Sequence, residues 1–98
     1  MVCWLKKGNV LIEREIQVTN KWGLHARPAA MLVKTASRFK SEIWLKKEDV
    51  EANAKSILSV MMLAAEVGSR VIIRAEGDDE EEAVETLVRI FREKFGEE

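Results

Sequence analysis

A chain of 98 residues with 47% hydrophobic side chains can build one core, so a single domain over residues 1–98 is expected. One cysteine, Cys3, and one histidine, His25, exclude an internal disulfide and a zinc cluster, and no apolar run is long enough to span a membrane. The net charge of −1 conceals an asymmetry: residues 1–75 carry 13 Lys/Arg against 7 Asp/Glu, whereas residues 76–98 carry 3 against 10. The basic part contains His25, which favours acidic partners or phosphate. Met1 to Gly8 lacks the apolar stretch of a signal peptide, and with one cysteine this predicts a cytoplasmic protein without membrane insertion.

Val10 to Val18 alternates, with Val10, Ile12, Ile16 and Val18 on one face, and predicts a half-buried strand interrupted only by Arg14. Thr19 to Leu24 reads as a loop. Pro28, the only proline, is best tolerated in a first helical turn, and Ala29, Leu32, Val33 and Ala36 follow at helical spacing. A helix over about Ala26 to Phe39 results, with His25 at or just before its N-cap. Ile43 and Leu45 alternate with Glu42, Trp44 and Lys46 in a second strand, Glu48-Asp49 forms a hairpin tip, and Val50 to Asn53 returns as a third.

A compact second helix runs from about Ser56 to Ala65, with Gly68 as its closing signal. Arg70 to Glu76 is rich in β-branched residues and reads as a strand. The last helix starts near Asp79, which has capping-box spacing to Glu82, and carries the stripe Val84, Leu87, Val88, Phe91, Phe95. The order β-α-β-β-α-β-α implies a two-layer α+β domain.

The chemistry concentrates at His25. A helix N-terminus offers unpaired amides and the positive end of the macrodipole, and Arg27 adds a guanidinium suited to phosphate. Neutral imidazole is a nucleophile at physiological pH, its reference pKa being about 6.5. No Walker loop or acidic metal cluster appears, so neither a cofactor nor a metal is expected, and phosphate must come from another protein and pass to a third.

Three segments carry a family resemblance: Gly23-Leu24-His25-Ala26-Arg27-Pro28-Ala29-Ala30, then Asn53-Ala54-Lys55-Ser56-Ile57-Leu58-Ser59-Val60-Met61, then Ala75-Glu76-Gly77-Asp78-Asp79-Glu80. In order and spacing they resemble the HPr phosphocarriers of the bacterial sugar phosphotransferase system, over about residues 11 to 96. The resemblance implies an open-faced sandwich with a four-stranded antiparallel sheet and three helices on one side. It leaves residues 1–9 as an extension outside the family.

The resemblance also implies a carrier, not an enzyme. His25 accepts a phosphoryl group on Nδ1 from phosphorylated Enzyme I, Arg27 assists, and sugar-specific Enzyme IIA domains receive it. Ala26, Ala30, Lys34, Ile57, Leu58 and Met61 match the shared docking face. Ser56, read from the residues as an N-cap or first-turn serine, matches the serine that HPr kinase/phosphorylase modifies in many relatives. The expected state is a monomer. Trp22 departs from the family, where a small polar residue is common; its loop position predicts an exposed indole beside His25.

The runner-up reading is a nitrogen-regulatory phosphotransfer paralogue with the same chemistry. A nucleic-acid-binding module using Lys34, Arg38 and Lys40 lacks the aromatic strand such modules stack bases on, so no nucleic-acid partner is expected. An interaction-only regulator acting through the second helix is the third reading; such relatives lack the histidine that this chain has.

Overall fold

The computed structural model describes residues 11–96; the extension at 1–9, with Cys3 and Trp4, and the expected strand residue Val10 lie outside the described residues. Alternation sets the strands and 3.6-residue periodicity the helices: β1 (Ile12–Gln17), α1 (Ala26–Ala36), β2 (Glu42–Lys47), β3 (Val50–Asn53), α2 (Ile57–Met62), β4 (Arg70–Glu76) and α3 (Glu80–Arg92). A 3-10 turn at Lys94–Gly96 follows. The strands form one sheet in the order β1-β4-β2-β3, antiparallel at every pairing.

The three helices cover one face of this sheet. Val71, Ile73 and Ala75 of β4 alternate into the core with Ile43 and Leu45 of β2, against Leu32, Val60, Val84, Leu87 and Phe91 of the helices. The register places Arg14 opposite Ile73, on the helix-facing side, where the edge position of β1 leaves it exposed. The opposite face is open and ionic. Arg74 donates a hydrogen bond to Glu51 at 2.8 Å and forms an ion pair with Glu13 at 3.1 Å, and its guanidinium lies 5.5 Å from the Trp44 ring centroid. Trp44 is thus taken up by Arg74 and is no free stacking platform.

Two helices end earlier than their patterns suggest. The first stops at Ala36, where Ser37 caps with its amide on the Val33 carbonyl at 2.9 Å, and Phe39 packs from the following loop. The second stops at Met62. Ala64 then enters the left-handed region (φ 53) and ends the helix, and the Lys47 ammonium holds its carbonyl at 3.0 Å. Gly68 is therefore not the closing signal; its amide bonds the Val18 carbonyl at 2.8 Å and opens β4 instead.

Asp79 does occupy the N-cap of α3, but no capping box forms with Glu82. Its carboxylate turns outward to accept the amides of Lys40 and Ser41, each at 2.9 Å, and the Ser41 hydroxyl at 2.5 Å. These bonds, that of the Ser41 hydroxyl first, hold its pKa below the ordinary aspartate value against a smaller opposing effect of burial. Glu80 takes over locally, accepting the Gly77 amide at 2.9 Å. The stripe of α3 is buried as its spacing predicts, except that Phe95 lies beyond the helix, at φ 58, with its ring edge-on to Phe91 at 4.9 Å.

Candidate functional site

His25 is the N-cap of α1, in extended conformation (φ −85, ψ −169), and its side chain makes no capping bond. It is half-buried. The helix begins there for local reasons: the His25 carbonyl accepts the Ala29 amide at 3.0 Å, and the fixed φ of Pro28 favours the first turn. Of the first-turn residues, Pro28 has no amide, which leaves the Ala26 and Arg27 N–H groups without an intrahelical acceptor. Arg27 is exposed; Pro28 is buried and anchors the turn. Two amides and the positive end of the helix dipole therefore lie where the imidazole sits, and exposed Arg27 stands two residues on in the first turn.

The loop before His25 is held from both sides. Asn20 is buried and its amide nitrogen donates to the Gly23 carbonyl at 2.8 Å. Gly23 has φ +68, and a Cβ there would lie 2.5 Å from the Ala65 carbonyl oxygen, so only glycine permits this approach. The Leu24 amide donates to that same carbonyl at 2.9 Å. Asn20 and the Ala65 contact escaped the sequence reading; the polar Thr19-Asn20-Lys21 run between strand and helix was the available signal.

Ala26, Ala30 and Lys34 follow one another at four-residue spacing and are all exposed, so they form one outward stripe of α1 starting beside His25. Ile57, Leu58 and Met61 are exposed on α2, whose sole buried residue is Val60. α1 and α2 pack together, which brings the two sets onto neighbouring helices. Met31, Met62 and Val67 also expose apolar surface here. Ser56 is the N-cap of α2, its hydroxyl accepting the Ser59 amide at 3.3 Å. Trp22 is exposed, as its loop position predicts.

Comparisons with known proteins identify the family. The family model "PTS HPr component phosphorylation site" matches residues 12–93. The chain is 46% identical over 87 residues to the phosphocarrier protein HPr of Xylella fastidiosa, covering 89% of this chain and 98% of that one. An HPr crystal structure from Thermoanaerobacter tengcongensis superposes with a TM-score of 0.86 at 53% identity, covering 89% and 98%. A second from that organism, described as an HPr dimer, gives 0.72 at 54% identity over 84% and 94%. The TM-scores show that these HPr structures share the four-stranded antiparallel sheet and three helices of this chain. The chain belongs to the HPr family of the phosphotransferase system.

Proposed function

We propose that this chain carries a phosphoryl group on His25, received from phosphorylated Enzyme I and delivered to Enzyme IIA domains. Family membership makes it a phosphocarrier of the phosphotransferase system, not an enzyme in its own right. The observation that carries the assignment to His25 is its place as the N-cap of α1, with the Ala26 and Arg27 amides beside it.

Transfer forms a bond between imidazole Nδ1 and phosphorus as the donor's bond to that phosphorus breaks. The helix end and the Arg27 guanidinium then neutralise the phosphate oxygens, and the reverse displacement returns the group to an acceptor. These groups act by position alone, since a half-buried ring on a fixed turn needs no rearrangement to meet a partner. Neither a cofactor nor a metal enters the step.

Ala26, Ala30, Lys34, Ile57, Leu58 and Met61 form the docking face. Their exposure supports this reading, and methionine adapts to more than one partner. Ser56 is the regulatory site: half-buried at the N-cap of α2, it adjoins Ile57 and Leu58 of that face and is the serine we assign to a kinase such as HPr kinase/phosphorylase. We read residues 1–98 as one HPr-like domain with 1–9 outside the family match, working in the cytoplasm as a monomer. No helix among the described residues is long and apolar enough to cross a membrane. Sedimentation at micromolar concentration checks the monomer, and a dimer like that of the Thermoanaerobacter structure would correct it.

A chase experiment tests the function. The chain is phosphorylated with phosphoenolpyruvate and Enzyme I, separated, and mixed with a purified Enzyme IIA domain. Loss of phosphate from the chain and its gain by the domain is expected; a phosphate that stays on the chain with every domain tried refutes the carrier role.

A further inference from the structure

The apolar surface near His25 extends beyond the face that the family motifs mark. Trp22 is 69% exposed, a high value for the largest apolar side chain, and it stands three residues before His25. Its neighbour Gly23 lies against Ala65 and Glu66, the segment that joins exposed Met62 to exposed Val67. The loop thus meets the segment after α2 at Gly23, next to Trp22, which brings the exposed indole to the edge of the docking face. The Lys21 ammonium sits 5.2 Å from the indole centroid, which restrains the ring and flanks it with positive charge.

Charge is distributed along α1. Lys21 and Arg27 flank His25 in the chain and both are exposed, and the basic stripe continues to exposed Lys34 in the last turn of α1. Asp78, Asp79, Glu81, Glu82 and Glu85 gather at the start of α3. Asp79 is bonded to Lys40 and Ser41, beyond the other end of α1. The eleven residues of α1, about 16 Å of helix, lie between His25 and the Lys40-Ser41 loop that Asp79 binds. A partner seated on Trp22 therefore meets the Lys21 ammonium at close range, which an acidic surface on that partner complements.

We propose that Trp22, with Lys21 against its ring, is a specificity-determining docking residue that enters an apolar pocket rimmed by carboxylates on Enzyme I. The inference rests on the phosphocarrier reading above and adds to it a contact that the shared face does not supply. An exposed indole already restrained by a cation loses little further freedom on binding, and tryptophan is the commonest type of strong interface anchor.

Calorimetric titration with Enzyme I, beside steady-state phosphotransfer, tests it on the full chain and on Trp22→Ser, Trp22→Phe and Lys21→Gln variants. Trp22→Ser is expected to raise both Kd and KM roughly 10- to 30-fold at unchanged kcat and melting temperature. Trp22→Phe recovers most of the loss, and Lys21→Gln costs a few-fold at low salt and less at high salt. Parent-like affinity in Trp22→Ser overturns the proposal, as does a drop in melting temperature that accounts for the loss. A shift in sedimentation from dimer to monomer on that substitution overturns it too, since the patch would then cover a second copy. A parent chain that binds Enzyme I yet takes no phosphate refutes the carrier reading instead, and the calorimetric comparison still decides the role of Trp22.

Discussion

The Leu24 amide donates to the Ala65 carbonyl at 2.9 Å, and this bond fixes the His25 loop to the segment that follows α2. Two elements remote in sequence thereby share one surface. Gly23 permits the approach, because any Cβ there would collide with the same carbonyl oxygen. Gly23→Ala is expected to cost roughly 1–3 kcal/mol from left-handed strain and the clash. Phosphotransfer should fall with it, since the loop carries His25. Chemical denaturation beside a transfer assay checks this; parent stability in the variant would show that the loop can move away freely.

Arg27→Ala separates chemistry from packing. The side chain is exposed, so its removal should leave the melting temperature within about 2 °C of the parent. A charge-assisted phosphate contact is worth about 1.5–3 kcal/mol, so transfer should slow by roughly 10- to 100-fold. Parent rates would reduce Arg27 to a solvated surface residue.

Ser56→Asp keeps a side-chain acceptor at the N-cap of α2, so the fold should hold. The added charge lies beside exposed Ile57, Leu58 and Met61, and covering it with an apolar partner surface is unfavourable. Weaker binding to Enzyme I at unchanged melting temperature is the expected result of titration calorimetry. Because α2 spans only six residues, the dipole of the helix contributes little and the effect is one of docking. Equal affinities would remove the regulatory role.

The Asp79 carboxylate ties the loop after α1 to the start of α3, and its bonds with Ser41 and Lys40 hold its pKa below the ordinary value. A group whose pKa is lowered by folding stabilises the native state fully above its unfolded value and loses that contribution as pH falls through the folded one. Asp79→Asn should therefore be less stable than the parent at pH 7. The gap should begin to narrow as the pH falls below the ordinary aspartate value of about 3.9 and close only below the lower pKa of the folded carboxylate. Urea denaturation at the two pH values reads the difference; a gap independent of pH would mean that the amide replaces the carboxylate in every bond.

Most of the fold was legible because its periods are clean. Ile43 and Leu45 alternate, and Val84, Leu87, Val88 and Phe91 recur at helical spacing, so strand and helix were distinguishable without tertiary information. The errors fall where long-range contacts decide. Gly68 looked like a helix stop because glycine commonly is one, yet Ala64 ends α2 and Gly68 pairs with Val18 instead. Asp79 and Glu82 had the spacing of a capping box, but Ser41 and Lys40, distant in sequence, competed for the carboxylate and won. At the candidate site, Pro28 placed the helix start and hence His25. That the loop would dock on Ala65 was not readable, since nothing local at Gly23 names its partner.

We propose that His25 alone takes the phosphate. It is tested most directly by incubating the chain and its His25→Ala variant with phosphoenolpyruvate and catalytic Enzyme I and weighing both by intact-protein mass spectrometry. One added phosphate is expected on the parent, lost in mild acid and stable in alkali, and none on the variant. Full labelling of His25→Ala, or an acid-stable phosphate on the parent, would contradict it.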